Sequence, residues 1–371
     1  MGQNVTICGA GPAGLMAAEV LAENGHSVTL IDHMAAPARK FLLAGRGGLN
    51  LTHSEPLDRF LTRYGDARAF LEPAIRAFPP EALIRWCEGL GIETFTGSSG
   101  RVFPKTMKAS PLLRAWLRRL DSMGVTLKAC TEWQGFDGTP TVLAMGGASW
   151  PQLGSNAAWV PFVEKAGIRV NPFRPSNGRF LVPWSTHFSE RFAGQPIKNV
   201  RLSFGTDSAR GEVMIAKDGI EGGAIYALSP VMRDAPGQSL MVDLRPDLSR
   251  EAVQQRMAKR KPKESQSNFL RRVFNLTPVA IGLMREAGSA DVKAVPVAIQ
   301  GPAGLDRAIS SAGGIARDEL TEHFELRKAP RCYAVGEMLD WEAPTGGYLL
   351  QACFSTAVMA ARHLASELKK G

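Results

Sequence analysis

Residues 4–14 read Asn4-Val5-Thr6-Ile7-Cys8-Gly9-Ala10-Gly11-Pro12-Ala13-Gly14, a short apolar run that passes directly into a glycine-rich turn. Leu15 to Ala22 then has helical spacing and stops at Asn24-Gly25, and a second apolar run, Ser27 to Ile31, ends in Asp32. Strand, turn, helix, strand and acid in this order form the dinucleotide-binding βαβ fingerprint. Gly9 permits the tight turn, Gly11 lets a pyrophosphate approach the backbone, and Gly14 lets the helix pack close to the sheet. Ala10, Pro12 and Ala13 complete the phosphate-binding turn at the helix N-terminus, where free N–H groups and a partial positive charge face an anion. Asp32 stands where a carboxylate accepts from ribose hydroxyls, which favours FAD or NAD over NADP.

The second glycine-rich stretch, Lys40 to Thr52, lies close behind the first. Arg39, Lys40 and Arg46 are suited to neutralising a pyrophosphate, Asn50 to hydrogen bonding with it or with a flavin edge, and Gly45 and Gly47 to close backbone approach. Val125 to Cys130 is expected to be a strand beside Leu30–Asp32, and its last residue, Cys130, is taken with the cofactor-binding set. Thr141 to Gly147 is a strand ending in Met145-Gly146-Gly147, where an open α/β sheet touches its ligand. Arg331 to Glu337 is strand, glycine and acid, with Gly336 and Glu337 placed for a ribitol hydroxyl. Gly346-Gly347-Tyr348-Leu349 is expected to open a long apolar helix through His363. A helix N-terminus facing the flavin N1/O2 edge stabilises the charge that reduction places there.

Between these segments the texture changes. Residues 57–125 read as mostly helical, with a hairpin over 94–104 and a helix opened by Pro111; another helix is expected over Ala157 to Ala166. After Pro172 short strands replace the helical pattern, at 178–182, 197–204, 211–216 and 239–244. Residues 249–288 are helical and basic, and Val292 to Ile299 returns to strand. The expected organisation is an α/β chain with a Rossmann FAD-binding domain over 1–171 and 313–371. An inserted β-domain spans 172–248 and 292–312, with a helical insert over 249–291.

With 371 residues, 44% hydrophobic and 21% charged, the composition is that of an ordinary globular protein. No run of about 18 uncharged apolar residues is present, and no signal peptide precedes the first strand, so a cytoplasmic location without membrane partners is expected. Five cysteines without CxxC spacing argue against a disulfide scaffold, a dithiol redox pair and a metal site. The net charge of +9 raises an RNA-binding reading, but net charge speaks to non-specific attraction and not to specificity, so nucleic acid is the less favoured partner.

The glycine turn, the KFLLAGRGGLN loop, the 141–147 strand, Ser311-Ala312-Gly313-Gly314-Ile315 and the GE…TGGYLLQ segment together resemble the BaiN/YhiN-like family of bacterial FAD-dependent oxidoreductases. The resemblance spans nearly the whole chain. It implies a glutathione-reductase-type FAD fold with a small β-barrel-like insert and a helical sub-domain, and non-covalent FAD as the cofactor. Members are described as NAD(P)H-linked reductases of conjugated ketones and as amine oxidases. Two departures from the common pattern, Gly48-Leu49-Asn50 without a preceding Cys and Glu221-Gly222-Gly223 in place of Ser-Gly-Pro, place the chain nearest an uncharacterised sub-branch.

The expected activity is hydride exchange between a small organic substrate and flavin N5, with NAD(P)H as a transient partner or O2 as acceptor. No second GxGxxG unit is present for a resident nicotinamide cofactor. Glu221 and Tyr348 are the weak catalytic candidates. The alternatives are an RNA-modifying flavoprotein and a non-catalytic flavin-binding regulator.

Overall fold

A computed structural model describes residues 2–235 and 237–370, with the side chain of Arg46 outside the described set. The chain divides into two compact units, Met1–Arg174 with Leu305–Gly371, and Pro175–Gly304.

The first unit is built on a five-stranded parallel sheet. Its strands are β1 (Asn4–Cys8), β2 (Ser27–Ile31), β3 (Thr126–Lys128), β4 (Thr141–Leu143) and β5 (Cys332–Ala334), in the order β5-β4-β1-β2-β3. The register between β1 and β2 pairs Val5 with Val28 and Ile7 with Leu30, so these four buried side chains share the sheet's interior. Helix α1 (Pro12–Glu23) leaves the end of β1 and buries nearly every side chain, because it lies between the sheet and the long helix α3 (Tyr348–Lys370). Ala17 and Ala18 of α1 and the alanines of α3 are fully buried, and small residues of this kind let helices approach closely. The buried acid of α1, Glu19, is satisfied by the indole N–H groups of Trp86 and Trp116 and by Arg119 Nη1 at 2.7 Å.

The second unit is an antiparallel sheet of seven strands whose hydrogen-bonded order is linear. Its centre is the pair Pro196–Phe204 and Asp207–Ala216, flanked on one side by Ser239–Asp243 and Val295–Ala298, on the other by Gly219–Glu221, Phe180–Leu181 and Gly301–Pro302. The helices of residues 250–286 pack in the same apolar cluster as these strands, through Val253, Phe269, Phe274, Ile281 and Met284. Amphipathic helices have to bury their apolar stripe, and here the sheet is the surface available. The helical stretch expected as a separate insert therefore shares one core with the β-strands. The unit boundaries also fall elsewhere than the expected 171/172 and 312/313, because Val170–Ser176 pairs with Ser310–Ile315 in a two-stranded sheet.

Four helices of this unit begin at a hydroxyl that accepts from the N–H three residues on. Ser185 accepts from Phe188, Ser249 from Ala252, Ser265 from Asn268 and Thr277 from Ala280. Among the described residues no helix is long and apolar enough to cross a membrane.

Candidate functional site

The three glycines of the first turn do different work. A Cβ on Gly9 would lie 2.4 Å from the Ala144 carbonyl oxygen, and one on Gly14 only 1.9 Å from that of Gly9. Both are therefore required by the packing of the turn against β4 and of α1 against the turn. Gly11 differs: its φ of −80° suits any residue, and a Cβ there would meet no heavy atom within 4 Å. Nothing in the chain needs a glycine at this position. It borders an open cleft at the N-terminus of α1, and a bare backbone beside a helix N-terminus is the cradle a phosphate requires.

The cleft gathers residues from stretches far apart in the sequence. Gly9, Gly11, Pro12 and Ala13 come from the turn, Asp32 from the end of β2, and Arg39 and Lys40 from helix α2 (Arg39–Ala44). Met145 and Gly146 come from the end of β4, and Glu337 from the segment after β5. Ala10 sits behind the wall, buried, and donates its N–H to Asp32 Oδ2 at 2.7 Å; Met34 N–H donates to Oδ1 at 2.8 Å. Asp32 thus ties the glycine turn to the backbone after β2, and each oxygen keeps lone pairs for a further donor. Arg39 has no ion-pair partner among the described residues. Lys40 Nζ donates to Ser149 Oγ and to Glu337 Oε2, both at 2.7 Å, closing the cleft floor across three loops.

Among the described residues five buried side-chain polar atoms stand without a hydrogen-bond partner: Ser155 Oγ, on the cleft wall, Asn50 Oδ1, outside the cleft lining, and, elsewhere, both His26 ring nitrogens and Arg179 Nε. Buried polar atoms in native proteins are nearly always bonded, so Ser155 Oγ, on the cleft wall, fits a group that awaits a ligand.

Other expected residues lie outside the cleft lining. Gly14 is spent on packing, Gly45 lies against Ala109, and Gly47 is exposed with open space around it. Cys130 is exposed, and its neighbour Thr131 is the residue on the cleft wall. A Cβ on Gly147 would collide with Ser311 Oγ, and Gly336 packs against Ala13 of α1. The loop of residues 40–52 is partly helical, and Arg46 has no described side chain.

Gly346 and Gly347 precede the last helix, which starts at Tyr348 and runs to Lys370, beyond the expected end at His363. Gly347, at φ +96°, accepts from Gln351 N–H, and a Cβ there would lie 2.4 Å from Thr52 Cα. Tyr348 is buried, and its hydroxyl donates to Glu55 Oε1 at 2.5 Å; Leu349 is half-buried. Glu55 also accepts from Arg63 Nη2 at 2.7 Å, and the His53 ring stacks on Tyr348 with centroids 5.6 Å apart. Burial and the neighbouring Glu55 push the Tyr348 hydroxyl well above its ordinary value, so it stays protonated at neutral pH. Burial raises Glu55, but the Arg63 and Tyr348 hydrogen bonds outweigh it and hold the carboxyl below its usual range. Glu221 belongs to the second unit, where Arg179 Nε lies 3.6 Å from its Oε2.

Sequence reasoning passed over Ser149, Ser155, Thr131 and Glu55. The two serines lie within the stretch just after Gly146-Gly147, so their proximity to a strand end was the available signal. Glu55 carries no motif at all.

The sequence model of a family described as HI0933-like protein Rossmann domain matches residues 3–139 and 134–363. Over 398 residues the chain is 25% identical to the ribosomal RNA dihydrouridine synthase of Escherichia coli, covering 96% of this chain and 97% of that protein. It is also 25% identical over 410 residues to the 3-dehydro-bile acid delta(4,6)-reductase of Clostridium scindens, covering 96% and 98%. Among solved structures, 3-ketosteroid-delta4-(5alpha)-dehydrogenase from Rhodococcus jostii RHA1 superposes with a TM-score of 0.52 at 13% identity, covering 98% of this chain and 97% of that one. At that identity the likeness speaks to the fold.

Proposed function

The chain belongs to the HI0933-like family, and from that membership we propose that it is an FAD-dependent oxidoreductase that reduces a carbon–carbon double bond conjugated to a carbonyl. Gly11 is the observation that carries the cofactor assignment: the chain leaves open, beside a helix N-terminus, a space that its own packing does not use. The two relatives' named activities support the substrate class. Dihydrouridine is a uracil ring saturated at the bond next to its carbonyl, and a 3-oxo steroid with 4,6-unsaturation carries the same conjugated arrangement.

FAD, when bound and once reduced by a donor such as NAD(P)H, would supply the hydride from its N5. The N-terminus of α1 receives the diphosphate, with Arg39 as the uncompensated cation beside it, and Asp32 presents its remaining lone pairs to ribose hydroxyls. Lys40 orients Glu337 toward the cleft through the 2.7 Å contact with its Oε2. Ser155 offers its unpartnered oxygen. Reduction of a conjugated bond also needs a proton at the carbon next to the carbonyl; Tyr348, protonated and held by Glu55, is the candidate donor within the first unit. Electrons enter from NAD(P)H in transient contact, or leave to O2.

The test is anaerobic. The purified chain should show flavin absorption that NADH or NADPH bleaches, and a conjugated enone or a uridine-containing RNA should restore it. A colourless protein that takes up no FAD overturns the cofactor, and reduced flavin that neither acceptor reoxidises overturns the substrate class.

A further inference from the structure

The helices of the second unit form a groove lined by cationic side chains. Helix Thr186–Phe192 contributes His187 and Arg191, helix Gln266–Phe274 contributes Ser267 and Arg271, and helix Pro278–Glu286 contributes Arg285 and Glu286. Gly282 lets the first and third helices approach, since a Cβ there would lie 2.4 Å from the Phe192 ring. Arg191, Arg271 and Arg285 are exposed, and none has a carboxylate partner among the described residues. Arg285 donates to Ser267 Oγ, and Arg191 lies over the Phe192 ring at 5.4 Å. The acid on the wall, Glu286, is engaged elsewhere: its Oε1 accepts Ser185 N–H at 2.5 Å and its Oε2 the Ser185 hydroxyl at 2.8 Å.

Three other exposed arginines of this unit are paired with acids. Arg210 pairs with Asp247, Arg250 with Asp291 and Arg272 with Glu264. Arg245, Arg256 and Arg260 reach only backbone carbonyls; the groove differs in lining one depression with three guanidinium groups that have no carboxylate partner among the described residues. The surrounding sequence deepens the field: residues 249–291 hold nine Lys and Arg against four Asp and Glu, with Lys259-Arg260-Lys261-Pro262-Lys263 in the turn before helix Gln266–Phe274.

We propose that this groove docks the phosphate backbone of an RNA substrate. The proposal rests on the reductase reading above and names the substrate class within it as uridine carried in RNA. A guanidinium fork matches phosphate oxygens in two-point contact, and a groove of such forks follows a chain of phosphates rather than a single ion. The groove's phenylalanines, Phe188 and Phe192, are buried, which leaves phosphate contact without base stacking. Such contacts fix position and register without reading sequence. Of the unit's large apolar side chains only Met257 is exposed, among the described residues, so the face lacks the apolar wedge of a membrane-surface helix.

The experiment follows the fluorescence anisotropy of a labelled hairpin RNA against the FAD-loaded full chain over a range of salt. The groove variant R191Q/R271Q/R285Q is compared with R210Q/R250Q/R272Q, which removes the same charge from paired arginines. The groove variant should lose at least about tenfold in affinity and lower the salt slope by about 2, while the control shifts far less. Single R271Q, exposed and unpaired, gives the same sign at smaller size if the triple variant folds poorly. Equal losses in both triples, no RNA binding, or groove-dependent binding to phosphatidylglycerol vesicles instead of RNA each overturn the docking. Flavin absorption in the same samples separates the two claims. FAD uptake without RNA binding removes the docking alone; groove-dependent RNA binding without FAD uptake removes the reductase reading and leaves the docking.

Discussion

Lys40 Nζ lies 2.7 Å from Glu337 Oε2, joining helix α2 to the segment after β5 across 297 residues of chain. The pair is mostly shielded, with side chains 24% and 16% exposed, so neither charge is solvated by bulk water alone. Lys40→Met should strand the Glu337 carboxylate and cost about 1–3 kcal/mol of stability, read by chemical denaturation. Lys40→Met/Glu337→Met should recover part of that loss. A double variant no more stable than the single would show that the pair is not coupled.

Asp32 holds two backbone N–H groups, those of Ala10 in the glycine turn and of Met34. Asp32→Ala should weaken FAD binding by at least about tenfold, and Asp32→Asn by less, since the amide oxygen keeps one acceptor. Titration of apo-protein by flavin fluorescence quenching measures this. Equal affinities in wild type and Asp32→Ala would remove Asp32 from the site.

Gly11 and Gly14 separate binding from folding. Gly11→Val should fold with wild-type stability yet lose FAD, because its side chain enters open space. Gly14→Ala should lose about 1–3 kcal/mol by forcing α1 off the turn. Thermal melts of the apo-proteins and flavin content after reconstitution check both. A Gly11→Val protein with full flavin content would mean that the phosphates lie elsewhere.

His363 sets a pH dependence. Its Nδ1 is 2.8 Å from the Tyr333 hydroxyl and its ring stacks on His323 at 4.0 Å. Burial, then the His323 charge, pushes its pKa below the ordinary histidine value. A folded pKa below the unfolded one gives a contribution present above the unfolded value of about 6.5 and lost as pH falls through the folded one. Denaturant midpoints should therefore drop from neutral pH to about pH 5 in wild type and drop less in His363→Gln. Identical drops would exclude His363 as the cause.

The parts of this architecture that sequence made legible are those carried by local pattern. Val5, Ile7, Val28 and Leu30 alternate as half-buried strands do, and the glycine turn marks where they cross over. The strand at 126–128 and its pairing beside β2 follow from the same alternation. Illegible parts depend on distant partners or on single dihedral angles. The expected helix from Ala157 starts only at Val160, because Ala157 takes φ +55° and Asn156 Oδ1 accepts Ala158 N–H in a local turn. The strands Val170–Ser176 and Ser310–Ile315 hide behind prolines in one and small residues in the other. Gly347 is legible as a required glycine, but the Thr52 backbone that meets its missing Cβ is not. Lys40, Ser149 and Glu337 meet only because helix α2 and the segments after β4 and β5, distant in sequence, come together at one end of the sheet.

The cysteines divide into an outer one and inner ones: Cys130 is exposed beside the cleft wall, whereas Cys8 and Cys353 line the cleft but are buried, with thiols that burial pushes far above their ordinary value. The chain therefore carries its own chemical reporter. A thiol-specific reagent should label Cys130 alone in the native protein, and all five cysteines once the chain is denatured. Mass spectrometry of the labelled protein counts the modified thiols directly. Labelling of Cys8 or Cys353 under native conditions, suppressed by added FAD, would time the opening of the cleft itself.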